Sequence, residues 1–238
     1  MNKQDFKRGL LHGVPIFLGY LAVSFSFGIF AVASGLSVVE TVLISMFNLT
    51  SAGQLAGVPI IACTGSLFEL ALGQLVINLR YALMSVSLSQ KFDKAVRPLD
   101  RFVIAFANTD EVFAVSSSQP SAVSKSYMYG LILPPYVGWT LGTVIGALLG
   151  SILPPVVMSA LSVAIYGMFV AIVVPAMRGH KATALCVLFA IALSCLFYYV
   201  PVLNGVSGGF VVIICAVTAS ALFAFLAPID TKKEGDEV

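Results

Sequence analysis

Asp110 and Glu111 stand side by side within an apolar stretch, residues 102–115, of a chain that keeps almost every other charge outside its hydrophobic segments. A charged side chain at membrane depth costs about 3 kcal/mol or more, so it marks a transport path or an ion site. One basic residue, Arg80, lies equally deep in the neighbouring segment 66–88, which also holds Glu69, Gln74 and Asn78. At about 100° per residue Gln74 and Asn78 share one helix face, and Glu69 and Arg80 fall nearly opposite it. Polar on two sides, this helix is expected inside a bundle. Glu69 and Arg80 are about 16 Å apart along the axis and do not neutralise each other. The natural partners of Arg80 are therefore Asp110 and Glu111, because a guanidinium and a carboxylate pair with good geometry and an unpaired buried charge is prohibitive. Two acids for one arginine leave a surplus carboxylate that can bind an ammonium group or take up a proton. The plainer alternative is a static ion pair that only ties two helices together.

The elements that position these groups follow from composition. Hydrophobic residues make up 59% of the 238 and charged residues 10%, with a mean hydropathy of +1.00. That places the chain in the all-α, polytopic membrane class. A span needs about 20 apolar residues. Candidate segments are 14–33, 38–62, 66–88, 102–115, 127–149, 156–177, 182–200 and 206–227, six to eight spans in one bundle. The expected organisation is a cytoplasmic N-terminus (1–13), a single transmembrane transport domain (14–228) and a cytoplasmic tail (229–238). The N-terminus imitates a signal peptide, but its apolar run is longer than the usual h-region of about 7 to 15 residues, so it reads as a retained first helix. No internal repeat is visible in the sequence.

Positive residues favour the cytoplasmic side. They mark the N-terminus, the polar stretch from Lys91 to Arg101, Lys125, the Arg178 to Lys181 loop, and Lys232 with Lys233. All of these share one side if segments 38–62 and 102–115 each enter and leave on the same face, which leaves six crossings. The same two segments contain helix-start patterns in mid-membrane, Ser51-Ala52-Gly53-Gln54 and Asn108-Thr109-Asp110-Glu111, with Ser51 and Asn108 as expected N-caps answered by Gln54 and Glu111. Backbone breaks at that depth only where it is buried in protein or lines a wet cavity, the way transporters build sites from half-helices. Continuous helices joined by interhelical hydrogen bonds are the alternative.

Other signals carry less. Cys63, Cys186, Cys195 and Cys215 lie in apolar segments without metal or redox spacing and read as small hydrophobes. His12 and His180 sit at segment edges without metal-ligand company. Asn48-Leu49-Thr50 fits a glycosylation sequon inside an apolar segment and is discounted. Gly142, Gly146 and Gly150 allow close helix packing, within the chain or with a second subunit. Pro134-Pro135 and Pro154-Pro155 predict kinks or helix boundaries. With no HExxH and histidines only at segment edges, a membrane hydrolase has no support. A charge of +2 with no basic, aromatic-interleaved stripe points away from nucleic acid. No cofactor is implied. Glu40 is expected at the interface; Glu69 is open between interface and core.

The order of these features resembles the AzlC-like family, the large subunit of branched-chain amino acid exporters. The resemblance rests on Lys7-Arg8-Gly9, Gly13-Val14-Pro15, Phe27-Gly28, the stretch from Thr50 to Gln54, the stretch from Val76 to Tyr81, and the stretch from Thr109 to Ala114. Residues 116–238 resemble the family only as a run of apolar helices. The resemblance implies a plasma-membrane exporter of leucine, isoleucine, valine or related amino acids, working with a small AzlD-like membrane partner. The expected substrate-binding set is Ser51, Gly53, Gln54, Asn78, Arg80, Thr109, Asp110 and Glu111. N–H groups after Ser51 and Arg80 would receive the carboxylate of the substrate, Asp110 or Glu111 its ammonium, and phenylalanines such as Phe47 and Phe106 would line an apolar pocket. Proton coupling through one of the acids stays open, as does a non-transporting assembly or sensory role.

Overall fold

The computed structural model describes residues 2–150, 154, 156, 170, 173–175, 177–203 and 205–227. Among them the only extended pairing is an isolated parallel bridge between Phe92 and Val123, and the rest is helix and turn. The segment 156–177 and Lys232 and Lys233 fall largely or wholly outside the described residues. Five described helices are long and apolar enough to cross a membrane. The chain is an all-α polytopic membrane protein.

Helix α1, Lys3–Ala33, starts where the Asn2 side chain accepts the Gln4 N–H. It ends in a glycine turn: Gly35 has φ +100, its N–H reaches Val32 O, and Leu36 N–H reaches Ala31 O. This left-handed cap satisfies carbonyls that the helix leaves open, and only glycine takes that φ at low cost. Leu36 then packs with Phe27, Ala31 and Val58. Next come α2, Val38–Phe47, and α3, Ser51–Ala62, separated by Asn48, Leu49 and Thr50. Ser37 caps α2 in a reciprocal box with Glu40, and that contact accounts for Glu40. α4 is Leu67–Gln90, α5 is Pro98–Phe106, α6 is Asp110–Ser117 and α7 is Lys125–Gly150. Pro98 occupies the first turn of α5, where its missing N–H costs nothing.

Both segments expected to break do break, at 48–50 and 107–109. The helix starts fall one residue away from the expected caps. Thr50 and Thr109 occupy the N-cap positions and neither side chain caps the helix. The predicted boxes do not form because Gln54, Asn108 and Glu111 make contacts with other helices instead of reaching back. Pro134 and Pro135, expected as a kink or boundary, lie inside an uninterrupted α7; Pro155 lies outside the described residues.

The chain divides into two compact units. In the first (residues 1–65 and 77–168), α1 and α7 run parallel at a constant register. A Cβ on Gly142 would strike Leu21 O, and one on Gly146 would strike Phe25 O. Side chains there would force the helices apart, so glycine sets the contact distance. These glycines pack against α1 of the same chain. The starts of α1 and α7, the end of α4 and the loops around α5 and α6 meet at one end. Asn2 N–H donates to Ser126 Oγ at 2.9 Å and Ser124 Oγ to Asp5 at 2.8 Å. Lys91 Nζ donates to Ser117 O, and Val123 N–H donates to Lys91 O at 2.9 Å. The α5–α6 segment therefore enters and leaves at this end. The α2–α3 segment does so at the other end of α1, because Leu36 before α2 and Val58 late in α3 share one cluster with Phe27 and Ala31.

The second unit (residues 66–76 and 169–238) contains the first turns of α4, α8 (Lys181–Tyr199), a short 3-10 turn (Pro201–Leu203) and α9 (Gly208–Leu226). Glu69, 6% exposed, accepts hydrogen bonds from Ser207 Oγ and Gly209 N–H at the start of α9. A carboxylate there complements the open N–H groups and the positive end of the helix. Glu69 is thus a helix-end cap.

Candidate functional site

The two broken hairpins bring most of the expected residues into the first unit. At the break before α6, Arg80 Nη1 lies 2.6 Å from Asp110 Oδ2, one of the two acids the sequence offered as its partner. Arg80 also donates to Tyr81 Oη at 3.0 Å and sits 4.7 Å from the centre of that ring, a cation over a π face. The pair is not sealed. The Arg80 and Asp110 side chains are 45% and 36% exposed, which corrects the expectation that this face of the helix is buried within the bundle. The charge is balanced by its partner rather than by enclosure. Asn78, two residues earlier on α4, is half-buried.

Glu111, exposed overall, turns its carboxylate to α1, where Tyr20 Oη donates to Oε2. Asn108 Nδ2 donates to Ser85 at 3.1 Å on α4, while its Oδ1 finds no partner among the described residues. Thr109 is buried beside it. Two cavities flank α5. One of about 330 Å³ is lined by Ser85, Leu88, Phe92, Ile104 and Asn108. The other, about 290 Å³, is lined by Phe106, Tyr129, Ile132 and Tyr136.

The first hairpin carries no charge at its break. Gln54, 1% exposed, accepts from Trp139 Nε1 at 3.0 Å and donates to Ser45 Oγ at 2.9 Å. Ser45 is 2.8 Å from Thr143 Oγ1, which donates to Trp139 O at 2.9 Å. Each polar atom in this closed chain has a partner, as burial requires. Gly53 is buried next to Gln54, and Ser51 opens α3 half-buried. Tyr20 and Trp139 meet edge to face with ring centres 5.1 Å apart. The hairpin tips thus touch opposite members of one aromatic pair.

The expected site residues accordingly divide. Arg80, Thr109, Asp110 and Glu111 gather at the second break with Asn78 two residues before Arg80 on α4, while Ser51, Gly53 and Gln54 lie at the first. Phe47 and Phe106 both end helices at the breaks, and both are exposed. Tyr20, Trp139, Ser45 and Thr143 were not singled out in the sequence. A buried tyrosine or tryptophan needs a polar partner, but sequence alone names neither the burial nor the partner. His12, expected at a solvated edge, lies 2.7 Å from Tyr127 Oη across the α1–α7 contact. Among the described residues no cluster of acids, histidines and cysteines could hold a metal.

Fold and site define a multi-pass helical membrane protein with two interrupted hairpins and an ion pair at a break. Residues 15–153 match the family model described as AzlC protein. The chain belongs to the AzlC family, and the matched stretch contains both hairpins and the residues at their tips. An uncharacterized membrane protein of Archaeoglobus fulgidus is 35% identical over 183 residues, covering 75% of this chain and 79% of that one. The inner membrane protein YgaZ of Escherichia coli is 30% identical over 149 residues, 61% of each chain. A Bacillus subtilis protein named branched-chain amino acid transport protein AzlC is 22% identical over 158 residues, 63% of this chain and 61% of that one. No solved structure matches the chain significantly.

Proposed function

We propose that this chain is a secondary transporter that exports branched-chain or related small apolar amino acids, working with a small AzlD-like membrane subunit. The observation that carries the reading is the half-exposed Arg80–Asp110 pair at the start of a half-helix, with a second acid, Glu111, one residue on. A zwitterion needs a cation for its carboxylate and an anion for its ammonium. An ion pair with both partners accessible offers both, because the substrate can insert and replace each internal contact with an external one. N–H groups at the starts of α3 and α6 add positive potential. Proton coupling through Glu111, the acid that Arg80 does not pair, belongs to this reading. The family and the name of the Bacillus relative support the substrate class.

Orientation follows from charge. The end where α1 and α7 begin carries Lys3, Lys7, Arg8, Lys91, Lys94, Arg97, Arg101 and Lys125, whereas turns 34–37 and 63–66 hold no Lys or Arg. The basic end faces the cytoplasm.

The deciding experiment is efflux of radiolabelled leucine from vesicles under an imposed pH gradient, with the chain reconstituted with and without the small subunit. Asp110→Asn abolishes efflux and Glu111→Gln removes its dependence on the gradient. Unchanged transport in both variants removes the acids from the mechanism, and no transport by either preparation leaves an assembly or sensory role.

A further inference from the structure

The two hairpins repeat one another. Phe47 ends α2, Thr50 is the next N-cap and Ser51 opens α3; 59 positions later Phe106 ends α5, Thr109 is the N-cap and Asp110 opens α6. The first helix of each hairpin begins with an acid that accepts a backbone N–H three residues back, from Ser37 to Glu40 and from Arg97 to Asp100. The helix that follows each hairpin obeys the same step to within a residue: α4, Leu67–Gln90, shifted by 59 positions matches α7, Lys125–Gly150. The copies are inverted. From Arg80 to Leu88, α4 runs toward the end where α1 begins, because Leu88 shares a cluster with Val123 and Tyr127. The α2–α3 hairpin enters from one end of α1, and α5–α6 enters from the other. Few side chains recur between the copies; what recurs is the placement of breaks and caps.

The copies also differ in exposure at two equivalent positions: Gln54 is 1% exposed where its counterpart Phe113 is half-buried, and Ala52 is half-buried where Glu111 is exposed. Inverted repeats that meet at mid-membrane through broken helices are a general way to build two exclusive openings from one sequence plan. We propose that the α2–α3 and α5–α6 hairpins are the two gates of one substrate path, opening to opposite faces of the membrane and coupled through the Tyr20–Trp139 contact. This rests on the transport reading above. Tyr20 and Trp139 act as positioning residues: Tyr20 holds Glu111 of one gate, Trp139 holds Gln54 of the other, and their rings pack together. Releasing Gln54 frees Trp139 to shift, Tyr20 follows, and the second gate closes on its ion pair as the first opens. The state described here has the first gate shut.

The test uses the full chain with its four cysteines replaced by serine and single cysteines introduced at the repeat-related positions, Thr50→Cys or Thr109→Cys. A membrane-impermeant maleimide is applied from either side of oriented vesicles. The expected result is labelling of Thr109→Cys from the side of the N-terminus alone, and labelling of Thr50→Cys from the opposite side alone. Adding Gln54→Leu or Trp139→Phe speeds labelling at Thr50→Cys and slows it at Thr109→Cys, each by about ten-fold. Labelling of both positions from one side overturns the repeat. Faster labelling at Thr50→Cys with an unchanged rate at Thr109→Cys overturns the coupling. If both added variants are unstable, Tyr20→Phe, which keeps the ring and removes the hydroxyl, provides the coupling arm. Labelling needs no substrate, so opposite-side labelling in a chain that moves no amino acid refutes the transport reading and leaves the repeat standing.

Discussion

Hairpin α2–α3 and hairpin α5–α6 solve one backbone problem with opposite chemistry at the tip. Each interrupts a helix at three residues and restarts it behind an N-cap threonine. The first fills its break with Gln54, Ser45, Trp139 and Thr143, neutral groups that satisfy one another and are buried. The second puts an arginine and two carboxylates there and leaves them half open, with a cavity on each side of α5. The difference follows from solvation. Neutral polar groups can be enclosed once their hydrogen bonds close, whereas enclosing charges incurs a desolvation penalty that a single pair rarely recovers. A tip meant to exchange its partner for a charged substrate has to stay accessible. One meant to seal does best without charge.

The widest break in this comparison removes the support common to both hairpins. Gly146→Leu drives a side chain into the backbone of Phe25 and costs about 3 kcal/mol or more; the protein fails to elute as a single species on size exclusion in detergent. Next is Arg80→Gln, which lowers leucine efflux by about 100-fold, or roughly 2.7 kcal/mol in the barrier. Its thermal midpoint hardly moves, because an exposed pair is worth about 0 to 1 kcal/mol. A large fall in stability would show instead that the pair is structural. At the sealed tip the order reverses: Gln54→Leu costs about 1 to 3 kcal/mol by stranding Trp139 Nε1 and Ser45, measured as a shifted unfolding midpoint. Adding Trp139→Phe recovers part of that loss, since both partners of the hydrogen bond are then apolar.

The smallest effect concerns how the second hairpin begins. The Tyr129 hydroxyl and then the Arg97 N–H hold the Asp100 carboxyl below its ordinary value. A depressed folded-state value adds stability that is present above the ordinary value of 3.8 and lost as pH falls below it. Tyr129→Phe raises the Asp100 titration toward 3.8 in a carbon-detected NMR titration and slightly lowers stability at neutral pH, where that contribution is fully present.

Much of the second tip was legible from its residues. Arg80 had to find an acid, only Asp110 and Glu111 lay at matching depth, and the structure pairs Arg80 with Asp110. Which acid it would take was not legible, because adjacent helical residues point about 100° apart and the choice depends on how α6 is rotated. The first tip was half legible. The break was found from Ser51 and Gln54, but Gln54 was expected to cap its own helix and instead bonds Trp139, a residue 85 positions away.

The sequence by itself determined the membrane class, the two interrupted segments, the depth of the charges and the need of Arg80 for an acid, because hydrophobic length and the cost of charge in hydrocarbon act locally along the chain. Only the tertiary structure decided that Gly142 and Gly146 seat α1, that Tyr20 and Trp139 join the hairpin tips, and that the hairpins repeat in opposite directions. Those depend on which helix faces meet and in what register, and a long-range contact between two common side chains leaves no local mark in either segment.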